Sequence, residues 1–133
     1  MSLVVDASVA VQWVLDEDGT ARANALRSED NLIAPTLIAA EIGSAIWKAV
    51  RRGTVTRTDG IVAIEAALLP FQLLITTEEL RVRALELAID LNHPIYDCFY
   101  LALAERERCA LVSADAKLLA AAKKLKGIEA RKL

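Results

Sequence analysis

Short runs of aliphatic residues alternate along the chain with longer stretches in which apolar residues recur every three or four positions. The short runs predict buried β-strands, and the longer spacing predicts helices with one apolar face. Strands are predicted at residues 3–7, 31–35, 71–76, 109–113 and 128–133. Strands that alternate with helices indicate right-handed crossovers and a parallel sheet covered on both faces. The predicted fold class is α/β, with three layers and a central parallel sheet of about five strands.

The intervening helices are bounded by residues that commonly start or stop a helix. They are predicted at 8–15, ending at a break over 16–19, and at 20–29, 36–52, 54–67, 77–91, 94–108 and 115–125. Gly53 follows the third helix, where a left-handed glycine is common, and Pro94 suits the first turn of the sixth. A chain of 133 residues has the length of one ordinary domain. We therefore expect a single domain over residues 1–133.

The composition indicates an aliphatic core and a location in a reducing cytosol. Hydrophobic residues make up 55% of the chain but aromatic residues only 5%, which suits helices packed on a parallel sheet. Cys98 and Cys109 lie in apolar runs without metal-type spacing, so buried free thiols in a reducing cytosol are expected. No apolar segment has transmembrane length, and the N-terminus lacks a signal-peptide layout. A soluble, cytoplasmic protein without membrane contact is predicted.

Four acidic residues stand in apolar stretches at junctions between predicted elements: Asp6, Glu41, Asp97 and Asp115. Asp6 ends the first strand and Asp115 follows the fourth, so both belong at the carboxyl edge of the sheet. Asp97 lies in the first turn of a helix that begins at this edge. Glu41 lies roughly 9 Å along its helix, and its long side chain leans back toward the helix start. We expect the four carboxylates to converge.

A cluster of carboxylates without Cys or His ligands suits a hard cation such as Mg²⁺ or Mn²⁺. Each acid also has a structural alternative. Asp97 and Asp115 could serve as capping residues in first helical turns, and Glu41 could pair with Lys48 or Arg52. Asp6, at the end of an apolar strand, has little structural reason to be charged. The joint placement of the four acids favours metal-assisted phosphodiester hydrolysis.

The formal net charge of −2 argues against a protein that coats nucleic acid nonspecifically. Neutralising the four acids with metal would leave a balance of +2 on the remainder. A nucleic-acid substrate is therefore compatible with the overall charge.

The segments VVDASV, PIYDCFYLALA and LVSADAKLL, with a Glu in the helix after the second strand, resemble the PIN-domain nucleases. The resemblance is closest to the VapC-type toxins of bacterial toxin–antitoxin modules and covers essentially the whole chain. It implies a PIN-like fold and a metal-dependent endoribonuclease that leaves 5′-phosphate and 3′-hydroxyl ends. It also implies a cognate VapB-like antitoxin and a homodimer. Ser113 stands where many relatives carry Thr, and its hydroxyl can serve the same role.

By this resemblance the four acids are the catalytic, metal-binding residues, with Ser8 and Ser113 as polar supports. We expect Asp6 and Asp97 to be the most direct ligands of Mg²⁺ or Mn²⁺. Glu41 and Asp115 are expected to bind a second ion, hold its waters or accept a proton from the attacking water.

The basic residues expected nearest this edge are Arg51, Arg52 and Lys117, which could contact substrate phosphates or simply be solvated surface charges. His93, the only histidine, is predicted to be a local packing or capping residue.

Three alternatives belong to other functional classes or substrates. A phosphoacceptor receiver domain has a similar size and fold, but it needs paired acids after strand one and an acceptor Asp after strand three, and this chain has neither. A PIN-like domain that acts on DNA, or that serves as a non-catalytic interaction module, stays open as an alternative.

Trp47 lies off the apolar arc of its helix, so we predict that it helps form a homodimer or antitoxin surface. Trp13 is a weaker candidate for the same role.

Overall fold

The computed structural model describes residues 2–15, 20–29 and 31–133. The strands found there are β1 (Leu3–Val5), β2 (Leu32–Pro35), β3 (Leu73–Ile75), β4 (Ala110–Ser113) and β5 (Ala130–Lys132). The helices are α1 (Ala7–Val14), α2 (Thr20–Leu26), α3 (Leu37–Arg51), α4 (Arg57–Ala67), α5 (Thr77–Leu91), α6 (Ile95–Glu107) and α7 (Ala116–Lys123).

The five strands form one parallel sheet in the order β3-β2-β1-β4-β5. The chain moves outward in one direction from β1 to β2 and β3, then crosses back and continues on the other side through β4 and β5. The direction therefore reverses between β1 and β4, which pair directly. Such a switch point opens a crevice at the carboxyl ends of the two strands, where ligands of open α/β sheets bind. The predicted parallel sheet is confirmed.

Helices flank the sheet, and the core between the layers is aliphatic. Helix α1 packs with α2, α3 and α4, whereas α6 packs with α5 and lies on β1, β2 and β4. Helix α7 packs on β4 and β5. The central strands are apolar on both faces because helices cover both, and Val4, Val5 and Leu111 are fully buried. The predicted three-layer α/β/α architecture is confirmed.

Several predicted boundaries shift by a few residues. Helix α4 begins at Arg57 rather than at residue 54, because Thr56 caps it by accepting a hydrogen bond from the Asp59 amide. Helix α2 ends at residue 26 rather than 29, and β3 has three residues rather than six. Gly53 has the expected left-handed conformation, with φ of 78°. The predicted break at 16–19 lies outside the described residues.

The two tryptophans have opposite environments. Trp13 is buried at 9% exposure, and its indole N–H donates to the Ala23 carbonyl at 2.7 Å. Its ring packs against Phe71 at a centroid distance of 5.4 Å. The suggestion that Trp13 serves a binding surface is therefore wrong, because α2 and Phe71 cover it. Trp47 is 55% exposed, with the Arg51 guanidinium 4.8 Å from its ring centroid, and its interface role stays a prediction.

Cys98 and Cys109 are buried and unbonded, as predicted. None of the described helices combines the length and apolar character needed to cross a membrane.

Candidate active site

Asp6 occupies the switch point, directly after β1 and at the N-cap position of α1. Its side chain does not cap that helix. Instead its two carboxylate oxygens accept hydrogen bonds from Ser8 Oγ at 2.6 Å and from Ser113 Oγ at 2.8 Å. The residue is only 6% exposed. A buried carboxylate is costly unless its oxygens are satisfied, and here two hydroxyl groups hold it in place.

The two serines tie the β1–α1 and β4–α7 junctions together across the crevice. Ser8 Oγ accepts the Ala114 amide at 2.9 Å, and Ser113 Oγ accepts the Asp115 amide at 2.9 Å. Each hydroxyl therefore accepts from one backbone amide and donates to Asp6. This network fixes the orientation of the Asp6 carboxylate, which is the supporting position predicted for both serines.

Neighbouring carboxylates raise the pKa of two of the acids, Asp6 and Glu41. Burial raises the pKa of Asp6 to about 6, the two serine hydrogen bonds oppose this, and the charges of Asp97 and Glu41 raise it further. The pKa of Glu41 is raised by burial and by the charge of Asp97, against a lowering by its hydrogen bond from Tyr100. Asp6, Glu41 and Asp97 therefore form a mutually repelling carboxylate cluster.

Tyr100 holds Glu41 in this cluster. Its hydroxyl donates to Glu41 Oε1 at 2.6 Å, and the ring is 1% exposed. Burial and the neighbouring acids raise the pKa of Tyr100 well above its usual value, so the phenol stays protonated and donates. The partner of Glu41 is thus a residue of α6, and the proposed pairing with Lys48 or Arg52 on its own helix is wrong. Tyr100 was not among the predicted site residues, although a buried tyrosine hydroxyl normally needs a partner.

His93 contacts Asp97, which lies in the first turn of α6. The distance from His93 Nε2 to Asp97 Oδ2 is 2.7 Å, and the two side chains are 13% and 25% exposed. The sequence analysis treated His93 only as a packing or capping residue. Its spacing of four residues from Asp97 was the signal that could have linked them.

Asp115 lies at the same edge but is held differently. It is the N-cap of α7, where its Oδ1 accepts the Lys117 amide at 2.9 Å. Its link to Asp6 runs through Ser113, which binds the Asp115 backbone and the Asp6 carboxylate. The capping alternative therefore describes the Asp115 contacts, while Asp6, Glu41 and Asp97 lie within range of one another's charge.

The predicted basic residues separate into two groups. Lys117 lies in the first turn of α7, at the edge where the acids meet. Arg51 and Arg52 lie at the opposite end of α3, about 15 Å along the helix axis from Glu41. Their expected position beside the acids is wrong, because α3 begins at this edge and runs away from it.

The donor set of this cluster can be compared with the needs of a hard cation. Within the described ranges, no three His, Cys, Asp or Glu side chains are already arranged as ligands of one ion. Mg²⁺ commonly takes only one or two carboxylates and keeps several waters. Asp6, Glu41 and Asp97 offer oxygen ligands only, and their mutual repulsion would be relieved by a cation. The residues present therefore fit such an ion, held partly through water.

The parallel sheet, with one buried and two half-buried acids at its switch point, defines a class of domain, and comparison with known proteins identifies it. A family model described as the PIN domain matches residues 3–124, and the chain belongs to this family. Ribonuclease VapC9 of Mycobacterium tuberculosis is 36% identical over 118 residues, which are 87% of each chain.

Two solved structures share the fold. PAE2754 from Pyrobaculum aerophilum has a TM-score of 0.73 and 25% identity, over 98% of this chain and 83% of its own. VapBC2 from Rickettsia felis, bound to a DNA fragment from its promoter, has a TM-score of 0.73 and 13% identity. That match covers 100% of this chain and 99% of the Rickettsia chain.

Proposed function

We propose that this protein is a metal-dependent endoribonuclease and the toxin of a toxin–antitoxin module. The observation that carries the proposal is the convergence of Asp6, Glu41 and Asp97 at the switch point, with Asp6 buried and fixed by two serines. Membership of the PIN-domain family supports nuclease chemistry. The name of the 36% identical relative, a ribonuclease, favours RNA over DNA as the substrate.

The residues of the cluster have different proposed roles. Asp6 and Asp97 are the most direct ligands of Mg²⁺ or Mn²⁺, and Glu41 and Asp115 bind a second ion, hold its waters or accept a proton. Bound there, the cation lowers the pKa of a coordinated water and stabilises charge on the phosphate. Ser8 and Ser113 keep the Asp6 carboxylate in one orientation, and Tyr100 does the same for Glu41. Ligand side chains that are already fixed bind metal more tightly because they lose less conformational freedom on binding.

We further propose a VapB-like antitoxin as partner and a homodimer as the assembly. The similarity in fold to a VapBC2 structure supports the first of these. Trp47, exposed on α3, is the proposed contact for one of the two surfaces because exposed tryptophans are enriched at binding hot spots. A cytoplasmic location follows from the proposed RNA substrate.

The test is cleavage of RNA by the purified protein with Mg²⁺, with Mn²⁺ and with EDTA. We expect cleavage only with a divalent cation, and 5′-phosphate and 3′-hydroxyl product ends. Asp6→Asn should abolish it, whereas Asp90→Asn, the same change at an exposed position of α5, should retain it. Equal cleavage by Asp6→Asn, or cleavage in EDTA, would contradict the mechanism.

A single-stranded DNA of the same sequence distinguishes the remaining alternatives. Cleavage of the DNA with the RNA left intact would favour a deoxyribonuclease. Binding of an antitoxin without cleavage of either strand would favour a non-catalytic interaction module. Growth arrest on expression of wild type but not of Asp97→Asn, in cells without the antitoxin, would support the toxin role.

A further inference from the structure

A cleft of about 390 Å³ opens beside the carboxylate cluster, between α7 and the turn that joins α5 to α6. Asn92, His93 and Asp97 line the side formed by the turn and the start of α6, and Lys117 and Lys124 line the side formed by α7. The cleft therefore combines two ammonium groups, an amide and an imidazole with the single carboxylate of Asp97, which is held by His93. Such a lining suits an anion with several oxygen atoms.

The α7 side of the cleft is a single stripe of the helix. Residues 117, 120, 121 and 124 follow the spacing of three and four that places side chains on one face. The two middle residues are Ala120 and Ala121, so the floor is low and a ligand can approach the helix closely. Lys117 and Lys124 stand about 10.5 Å apart along the axis, at the two ends of this floor. Neither lysine forms an ion pair within the described part of the chain.

The cleft is continuous with the carboxylate cluster. Asp97 belongs to both, since it lines the cleft and its charge acts on Asp6 and Glu41. On the other side, the Lys117 amide binds Asp115. A strand whose cleaved phosphate lies at the acids would therefore run past Asp97 into this cleft.

We propose that this cleft is the subsite that binds backbone phosphates of the RNA strand next to the cleaved bond, with Lys117 and Lys124 as the contacts. The inference rests on the proposed function and names how that site holds its substrate. Lysine acts as a point charge toward phosphate and carries no base information. The subsite therefore contributes affinity and register, while sequence preference comes from elsewhere. The continuity with the acids favours RNA over an acidic protein segment.

The experiment compares two double variants of equal charge. Lys117→Ala with Lys124→Ala removes both proposed contacts, and Lys123→Ala with Lys126→Ala removes two nearby exposed lysines outside the cleft lining. Binding of fluorescein-labelled single-stranded RNA is followed by anisotropy in Mg²⁺ from 50 to 300 mM NaCl (roughly the range in which phosphate contacts dominate). All proteins carry Asp6→Asn so that the RNA stays intact.

The logarithm of the RNA association constant falls linearly with the logarithm of the salt concentration. We expect the cleft variant to reduce the magnitude of this slope by about 1.4, since each phosphate contact on a single strand contributes about 0.7. Its Kd should rise about 10- to 30-fold near 0.1 M salt, as follows from that slope. The control pair should keep the slope of the protein that carries Asp6→Asn alone, and its Kd should stay within about twofold of that protein's value. Lys117→Arg with Lys124→Arg should restore the slope, because the positive charges are kept.

In proteins with Asp6 intact, the cleft variant should raise KM and leave kcat within about twofold, the signature of lost uniform binding. Equal salt slopes for the two double variants would overturn the subsite even if wild type cleaves RNA normally. Unchanged RNA binding with lost affinity for a co-expressed antitoxin would overturn it in favour of a protein partner. Failure of wild type to cleave RNA in any divalent cation would count against the proposed function instead.

Discussion

Replacing Asp6 by Asn should stabilise the metal-free protein above neutral pH and leave its stability nearly unchanged in acid. The pKa of Asp6 is raised from 3.8 to about 6 in the folded state. At a pH between these two values, the folded protein therefore binds the Asp6 proton more tightly than the unfolded chain does. Its stability falls as the pH rises through that window and stays lower above it.

The magnitude follows from the size of the shift. A raised pKa of roughly two units corresponds to about 3 kcal/mol of lost stability at pH 8. Asn removes this cost and, like the protonated Asp6 side chain, offers one carbonyl acceptor to Ser8 and Ser113. The raised pKa already includes the two serine hydrogen bonds to the ionised carboxylate. The variant should thus be more stable by about 3 kcal/mol at pH 8 and within about 0.5 kcal/mol of wild type near pH 4.

Urea unfolding followed by far-UV dichroism measures this difference. Wild type, Asp6→Asn and the exposed control Asp90→Asn are compared in EDTA at constant ionic strength, from pH 4 to pH 8 (about the span of the shift). Titrating groups outside the cluster contribute nearly equally to all three proteins, so the differences isolate Asp6 together with its charge coupling to Asp97 and Glu41. The control should differ from wild type by less than about 0.5 kcal/mol at every pH.

A difference between Asp6→Asn and wild type that does not vary with pH would refute the reasoning. So would a variant that is clearly less stable at pH 8, because Asp6 would then be a structural acid rather than an uncompensated one. Added Mg²⁺ or Mn²⁺ gives a second measure. Millimolar metal should raise the Tm of wild type but not of the variant, since a ligand that binds only the folded state stabilises it.

Three further predictions concern other residues. Tyr100→Phe should keep the fold but raise the Mn²⁺ concentration for half-maximal stabilisation about tenfold, because Glu41 loses its hydrogen bond; an unchanged titration would contradict this. Trp13→Phe should cost about 1–3 kcal/mol in urea unfolding through its lost buried hydrogen bond, whereas Trp47→Phe should cost under about 0.5 kcal/mol. The pKa of Cys98 is raised to about 11 by burial, so Ellman's reagent should label neither cysteine before unfolding; rapid labelling of native protein would disprove their burial.

The sequence by itself determined the sheet, the helices and the acids that mark the site. Hydrophobic periodicity separates strands from helices because their side chains repeat every two and every 3.6 residues. Parallel pairing then places the ends of β1 and β4 at one edge, so the positions of Asp6 and Asp115 followed from topology alone. Element boundaries moved where a local cap such as Thr56 decided the first helical turn.

Only the tertiary structure decided which side chains contact one another. Ser113 and Asp6 are 107 residues apart, and Tyr100 and Glu41 are 59 residues apart. A pattern along the chain cannot measure distances between elements, so it does not say which hydroxyl binds which carboxylate. The same reason explains Trp13, whose burial depends on where α2 packs and not on the wheel of its own helix. Chain pattern sets which face of a helix is apolar, but packing decides what covers it.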